Sequence, residues 1–185
     1  MNYLKVIILV ALIPSLLMAK SFKIDSNHSY AGIKYRSNKL NELVIRLSDF
    51  KGKATLENGK LKFLKFKLSM KNLNTGNKKR DSFLKESVFK TKKYKSIHFE
   101  TISIEETEKG ALVKGILTIN GKSKGTVFHI NMLGPNIKEN QKTRIGLSSR
   151  IEISRDDYNI IINSEKEEIS DHLELNLQLQ LVKKK

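Results

Sequence analysis

With 185 residues, the chain is long enough for one domain with a real core and too short for two comfortable ones. It contains no cysteine, which excludes a disulfide framework, a thiol nucleophile, a Cys-ligated metal and a lipoprotein anchor. The formal charge of +16, from 35 basic and 19 acidic residues, favours anionic surfaces such as a phospholipid leaflet. Its lysines, however, stand scattered at alternating positions such as Lys60, Lys62, Lys65 and Lys67, as on a solvated outer strand face.

Residues 1–19 read as a secretory signal peptide: Lys5 supplies the positive start, Val6 to Met18 is almost wholly apolar, and Ala19 offers a small residue at the cut. The run is shorter than the ~20 residues of a spanning helix, and Pro14 interrupts it. An uncleaved anchor is the competing reading, because Leu17 is bulky at the third position before the cut. Cleavage leaves one domain, residues 20–185, with a periplasm as its expected address.

From His28 to Arg36 the chain alternates, with Ser29, Ala31, Ile33 and Tyr35 on one side, the period-two signature of a half-buried strand. Leu43, Ile45 and Leu47 continue the alternation towards Phe50 and Gly52. Asn58-Gly59 is a two-residue hairpin signal feeding Leu61 to Met70, where Leu64, Phe66, Leu68 and Met70 share a face. The alternation then breaks. Asn72 to Phe99 holds a polar turn, the Arg80-Asp81 pair, and Phe83, Leu84, Val88 and Phe89 at the spacing of a short helix, a plug around residues 78–94.

Strands resume with Ser96 to Ile104, which carries Phe99, and a polar turn is expected from Glu105 to Gly110. Ala111, Val113, Gly115, Leu117 and Ile119 align, and Asn120-Gly121 is the second hairpin signal. Phe128, Ile130 and Met132 return, followed by an expected loop from Gly134 to Lys142. Ile145, Leu147, Ser149, Ile151 and Ile153 point one way in the next strand, and residues 155–168 look irregular and charged. Leu173, Leu175, Leu177, Leu179 and Leu181 end the chain with the clearest alternation of all.

About eight antiparallel strands, each with one apolar face, fit either a sandwich or a closed barrel. Strand lengths of about nine to eleven residues favour a tall barrel of the kind that is filled by side chains or holds one slender ligand.

Catalytic chemistry has few candidates. Asp25, His28 and Ser29 invite a triad reading, but strand neighbours point to opposite faces. Hydrogen bonds that tie down a first turn are the simpler role. His98, His129 and His172 form no metal-ligand spacing, so no metal and no cofactor is expected. Arg80 and the Arg155-Asp156-Asp157 cluster read either as polar groups at a barrel mouth or as structure, with Asp81 capping the helix and Arg80 paired to the second cluster. Nucleic acid is disfavoured by the leader, the lack of Trp and the absence of a clustered basic patch.

NLNT with GNKKRDSFL and VFKTKKYKSIHF (residues 72–99) resembles the signature of the YceI family of lipocalin-like proteins. Asp25-Ser26-Asn27-His28-Ser29, Gly115 to Lys124, and Ile153 to Tyr158 resemble three further pieces of it, in the same order. Ile45, Leu47 and Phe83 depart from it, standing where the family usually has glycine, an aromatic and histidine. The resemblance implies an all-β, eight-stranded antiparallel lipocalin-like barrel that binds a long isoprenoid lipid, polyprenyl or quinone-like, and no enzymatic step.

The lining then falls to Ile33, Tyr35, Phe66, Leu68, Met70, Phe99, Val113, Leu117, Phe128, Ile130, Ile145, Leu147, Leu175 and Leu177, with His28, Arg80 and Arg155 as head-group contacts. Small residues such as Ala31, Ala111, Gly115 and Ser149 leave room for a guest; a barrel packed solid is the alternative. Competing functions are a solid-cored stress or adhesion protein acting through its basic surface and, more weakly, an enzyme acting on isoprenoid lipids. Monomer and homodimer are both open.

Overall fold

In the computed structural model of the chain, residues 19–37, 40–137, 143–161 and 169–183 are described. Outside them lie the leader up to residue 18, the end of the expected loop at 138–142 and the second half of the irregular segment, 162–168. Period-two patterning becomes strand nearly everywhere: β1 (Lys20–Ile24), β2 (Tyr30–Ser37), β3 (Asn41–Leu47), β4 (Phe50–Glu57), β5 (Lys60–Ser69), β6 (Ser96–Thr107), β7 (Gly110–Ile119), β8 (Lys122–Ile137), β9 (Thr143–Ser154) and β10 (His172–Lys183).

Every pairing is antiparallel, in the order β1-β4-β5-β6-β7-β8-β9-β10, and β10 returns to β1. The same edge of β10 continues onto β2: Leu181 faces Ile24, and Glu174 faces Lys34. β1 and β2 are therefore two halves of one strand, interrupted by a short 3-10 turn at Ser26–His28. β3 and β4 are likewise halves of a second strand, with β2 against β3 and β1 against β4. Counting each broken strand once gives a closed eight-stranded barrel. Closure leaves few edges to invite aggregation.

The two Asn-Gly hairpins form as their sequence demands. Asn58 and Gly59 (φ +50° and +79°), and Asn120 and Gly121 (φ +48° and +73°), are all left-handed, the backbone of a tight turn matched to strand twist. Two bulges alter the alternation. Thr55 faces Phe63 while Leu56 faces Leu61, so Lys62 is an extra residue and both Leu61 and Leu64 turn inward. Ile102 is the extra residue of β6 and is pushed to solvent.

Several boundaries differ from the sequence reading. β1 was not anticipated, and His28 lies in the turn rather than in a strand. β6 runs on to Thr107, leaving only Glu108 and Lys109 as the turn. Its polar end is held by pairing with β7 and by Glu106, which takes Lys60 and, at 2.8 Å, Lys62 from β5. β8 passes through Gly134 and Pro135, with a break in register, to reach Ile137.

The plug is shorter than residues 78–94. Its helix α1 (Lys78–Phe83) widens into a π turn at Leu84–Val88, and Phe89 ends it. Asn77, not Asp81, is the cap: its side chain accepts from the Arg80 amide at 3.1 Å. Asp81 instead accepts from the Thr75 amide and hydroxyl, both at 2.7 Å, and so braces the polar turn before the helix. Arg46 and Asn74 exchange backbone hydrogen bonds of 2.8 and 3.1 Å, which attach the start of this insert to β3.

Candidate binding interior and its surroundings

All fourteen residues expected to line the barrel point inward and are buried, each at most 5% exposed. They come from β2, β5, β6, β7, β8, β9 and β10, with Met70 just past the end of β5. The wall they make is apolar apart from a few polar groups. Ser149 donates to the His129 carbonyl at 2.7 Å, and Thr101 exchanges hydrogen bonds with the Leu64 backbone at 2.8 and 3.1 Å.

That interior is largely occupied by its own side chains. Phe66, Phe99 and Phe128 stack across it, with ring centroids 5.2 Å apart for the first pair and 5.0 Å for the second. Gly115 does not leave room for a guest. A Cβ there would meet the Phe99 ring and the Glu100 carbonyl, both at 2.4 Å, so the ring of Phe99 already fills the space. At the plug end, Leu84, Val88 and Phe89 close over Tyr35, Ile45, Ile160, Ile169 and Leu173, leaving about 10 Å³. So small and apolar a space stays dry. The Asn120 amide donates to the Val88 carbonyl at 3.1 Å and ties the plug to the β7–β8 hairpin.

Sequence reasoning passed over Tyr158 and Ile160 in the charged segment. A 3-10 turn at Asp156–Tyr158, ending in left-handed Asn159 (φ +52°), aims both into the core. Burial, helped by neighbouring Asp157, pushes the Tyr158 hydroxyl up to about 12.

The three expected head-group residues do not converge. His28 borders a groove of about 920 Å³ with Pro135, Arg144 and Gln178 on the outer wall. Arg155 borders a separate groove of about 740 Å³ with Lys34, Glu42, Glu152 and Glu174, and pairs with Asp171 at 2.6 Å. Arg80 sits in the first turn of the plug. Asp157 meets Lys124 at 3.0 Å.

Around Asp25 the geometry is that of a clasp. The Ser29 hydroxyl donates to the Asp25 carbonyl at 2.6 Å and accepts from the Gln180 amide at 2.8 Å, sewing the break between β1 and β2 onto β10. The Asp25 carboxylate takes His28 Nδ1 at 2.9 Å and the Asn27 amide at 3.2 Å. Burial raises its pKa, but the hydrogen bonds from His28, Asn27 and Gln180 outweigh that and hold it below the usual carboxylate value. The hydrogen bonds of Ser29 thus go to the Asp25 carbonyl and the Gln180 amide, and that of His28 Nδ1 to the Asp25 carboxylate.

A third groove, of about 650 Å³, was not legible in the sequence. Lys51, Lys67, Lys71, Lys92 and Lys95 line it with one carboxylate, Asp49. The lysines that look scattered along the chain are gathered by strand register. Among the described residues there is no cluster of three potential metal-ligating side chains, and no helix is long and apolar enough to cross a membrane.

Three solved structures share the fold. BcnA of Burkholderia cenocepacia superposes with a TM-score of 0.74 at 15% identity, covering 85% of this chain and 98% of its own. A YCEI protein of Campylobacter jejuni gives 0.67 at 24% identity, covering 81% and 85%. A polyisoprenoid-binding domain of Saccharophagus degradans, implicated in plant cell wall breakdown, gives 0.66 at 13% identity, covering 89% and 99%. No curated protein matches the sequence. The model of the YceI-like domain matches residues 22–181, nearly the whole barrel, and the chain belongs to that family.

Proposed function

We propose that the protein binds a long apolar lipid of the isoprenoid class within its barrel and carries it without chemical change, in a periplasm reached through the leader at residues 1–19. The observation that carries this reading is the continuous apolar inner wall contributed by strands all around a closed barrel. Family membership supports it, as does the shared fold of a domain that binds polyisoprenoids.

The filled interior sets the mechanism. A guest enters by displacing side chains, above all the Phe66–Phe99–Phe128 stack, at the end where the plug rather than a strand closes the barrel. Burying about 500 Å² of hydrocarbon is worth on the order of 12 kcal/mol at ~25 cal/mol per Å². Association costs ~4–15 kcal/mol, and rearranging the rings adds to that. Affinity thus depends on how readily the stack yields.

The same filled interior favours a second reading, a solid-cored barrel acting through its basic exterior. Mass spectrometry of an organic extract of the purified protein separates the two. The first predicts a co-purified isoprenoid, and more of it in Phe99→Ala, where the stack is opened. No isoprenoid in either protein, and no uptake of added polyprenol, would leave the second. An added lipid recovered chemically altered would replace both with an enzyme.

A further inference from the structure

The lysine groove stands apart from the interior and from whatever occupies it. Its residues come from three places that the fold brings together. On the outer face of the sheet, Lys51 of β4 stands directly opposite Lys67 of β5, and Lys67 stands opposite His98 of β6. The insert leaves the barrel at Met70 and returns at Lys95, and the Met70 amide donates to the Lys95 carbonyl at 3.0 Å, which sets Lys71 beside Lys95. Lys92, in the turn leaving the plug, completes the rim.

Like charges facing each other across strands are unfavourable and are ordinarily offset by partners. Elsewhere on this sheet that is what happens: Lys65 pairs with Glu100 at 2.6 Å, and Lys60 and Lys62 share Glu106. The five lysines of the groove form no ion pair among the described residues, and against their five positive charges stands the single carboxylate of Asp49. His98, which faces Lys67, is held below its ordinary pKa by desolvation first and by the charges of Lys67 and Lys65 after it.

We infer that this groove is a docking site for the phosphate head groups of an anionic lipid surface, and that it sets the plug end of the barrel against the bilayer. Phosphate suits several compact ammonium groups arranged around a concavity. A surface suits them better than a soluble anion does. All five lysines are exposed, so each contact with a single dissolved phosphate is weak and screened, whereas a bilayer presents many phosphates at once. Nucleic acid is the poorer fit, because the one aromatic residue at the groove, Phe50, is buried and offers no face for base stacking.

The test is sedimentation of the full chain with vesicles of phosphatidylglycerol in phosphatidylcholine, and with phosphatidylcholine alone. It compares Lys67→Gln/Lys92→Gln/Lys95→Gln with a charge-matched control, Lys109→Gln/Lys114→Gln/Lys183→Gln. Expected are binding to the anionic vesicles that fades with salt, roughly a hundredfold loss in the groove variant at about fivefold per lysine, and a control close to wild type. Equal losses in both variants would replace the site with diffuse charge and overturn the proposal. Chemical-shift changes at the groove with inorganic phosphate, without vesicle binding, would overturn it in favour of a soluble anion. Binding of a single-stranded oligonucleotide that depends on the same lysines, again without vesicle binding, would reassign the groove to nucleic acid. Unchanged circular dichroism of both variants keeps a folding defect from imitating any of these results, since every substituted lysine is exposed.

Discussion

Two sides of this barrel are built on different terms. From β5 to β10 the strands run for 10 to 16 residues, with two-residue hairpins joining β6 to β7 and β7 to β8, and keep their inward faces apolar. From β1 to β4 the wall consists of two strands each broken in the middle, sewn together by side chains, with the plug against the upper edge of β3. The unbroken side rests on hydrophobic packing and backbone ladders. The broken side adds polar stitches such as Ser29, and these can be removed one at a time.

The largest effects should come from emptying the packed side. Leu117→Ala, at a fully buried β7 position, is expected to cost ~2–5 kcal/mol of global stability in denaturant unfolding. Leu84→Ala is equally buried but lies in the plug, and should loosen mainly that end. Hydrogen exchange should then quicken in residues 78–89 while β7 to β10 stay protected; uniform loss would show that plug and barrel unfold as one.

Overfilling the same side comes next. Gly115→Ala forces a methyl against the Phe99 ring and the Glu100 carbonyl, for about 1–3 kcal/mol, whereas Gly125→Ala meets nothing within 4 Å and should be close to neutral. On the broken side, Ser29→Ala leaves the Gln180 amide without its acceptor and should cost ~1–3 kcal/mol, with exchange rising first around Gln180. Asn120→Gly keeps the left-handed turn and removes only the tether to Val88, for about 1 kcal/mol, read as faster exchange in the plug.

The smallest effect is a pH dependence. The folded pKa of Asp25 lies below its unfolded value of about 3.9. Its contribution is therefore complete above that value and is lost as pH falls through the folded pKa. Asp25→Asn should remove that contribution at neutral pH and flatten the acid limb in a titration of unfolding stability, so that variant and wild type converge at acid pH.

The packed side was the legible side. Leu173 to Leu181 and Ile145 to Ile153 declare their inward faces by strict alternation, and both Asn-Gly turns follow from the left-handed backbone they require. On the broken side the tie-down of a first turn by Asp25 to Ser29 was legible, but the alternation of Ser29, Ala31, Ile33 and Tyr35 let His28 read as the start of the strand, although it belongs to the turn that Asp25 caps. Lys20–Ile24 is too short to be told from the end of a leader by pattern alone. Helical spacing located Leu84, Val88 and Phe89 correctly, but a carboxylate in the first turn looked like a cap when its partner was Thr75. Gly115 read as vacant space because a sequence does not show which ring leans over a glycine. The lysine groove escaped for a related reason, since the facing of Lys51 and Lys67 exists only in the pairing of β4 with β5.

The residues that flank the plug's excursion, Ser69 and Ser96, are themselves cross-strand partners. Everything between them is thus a detour that departs from and returns to one rung of the ladder. A two-residue connector in place of residues 70–95 would keep the register of β5 and β6 while uncovering the apolar end that the plug now closes. A cap of another length or charge could therefore leave the rung of Ser69 and Ser96 aligned, provided that it supplies apolar side chains where Leu84, Val88 and Phe89 now close the core.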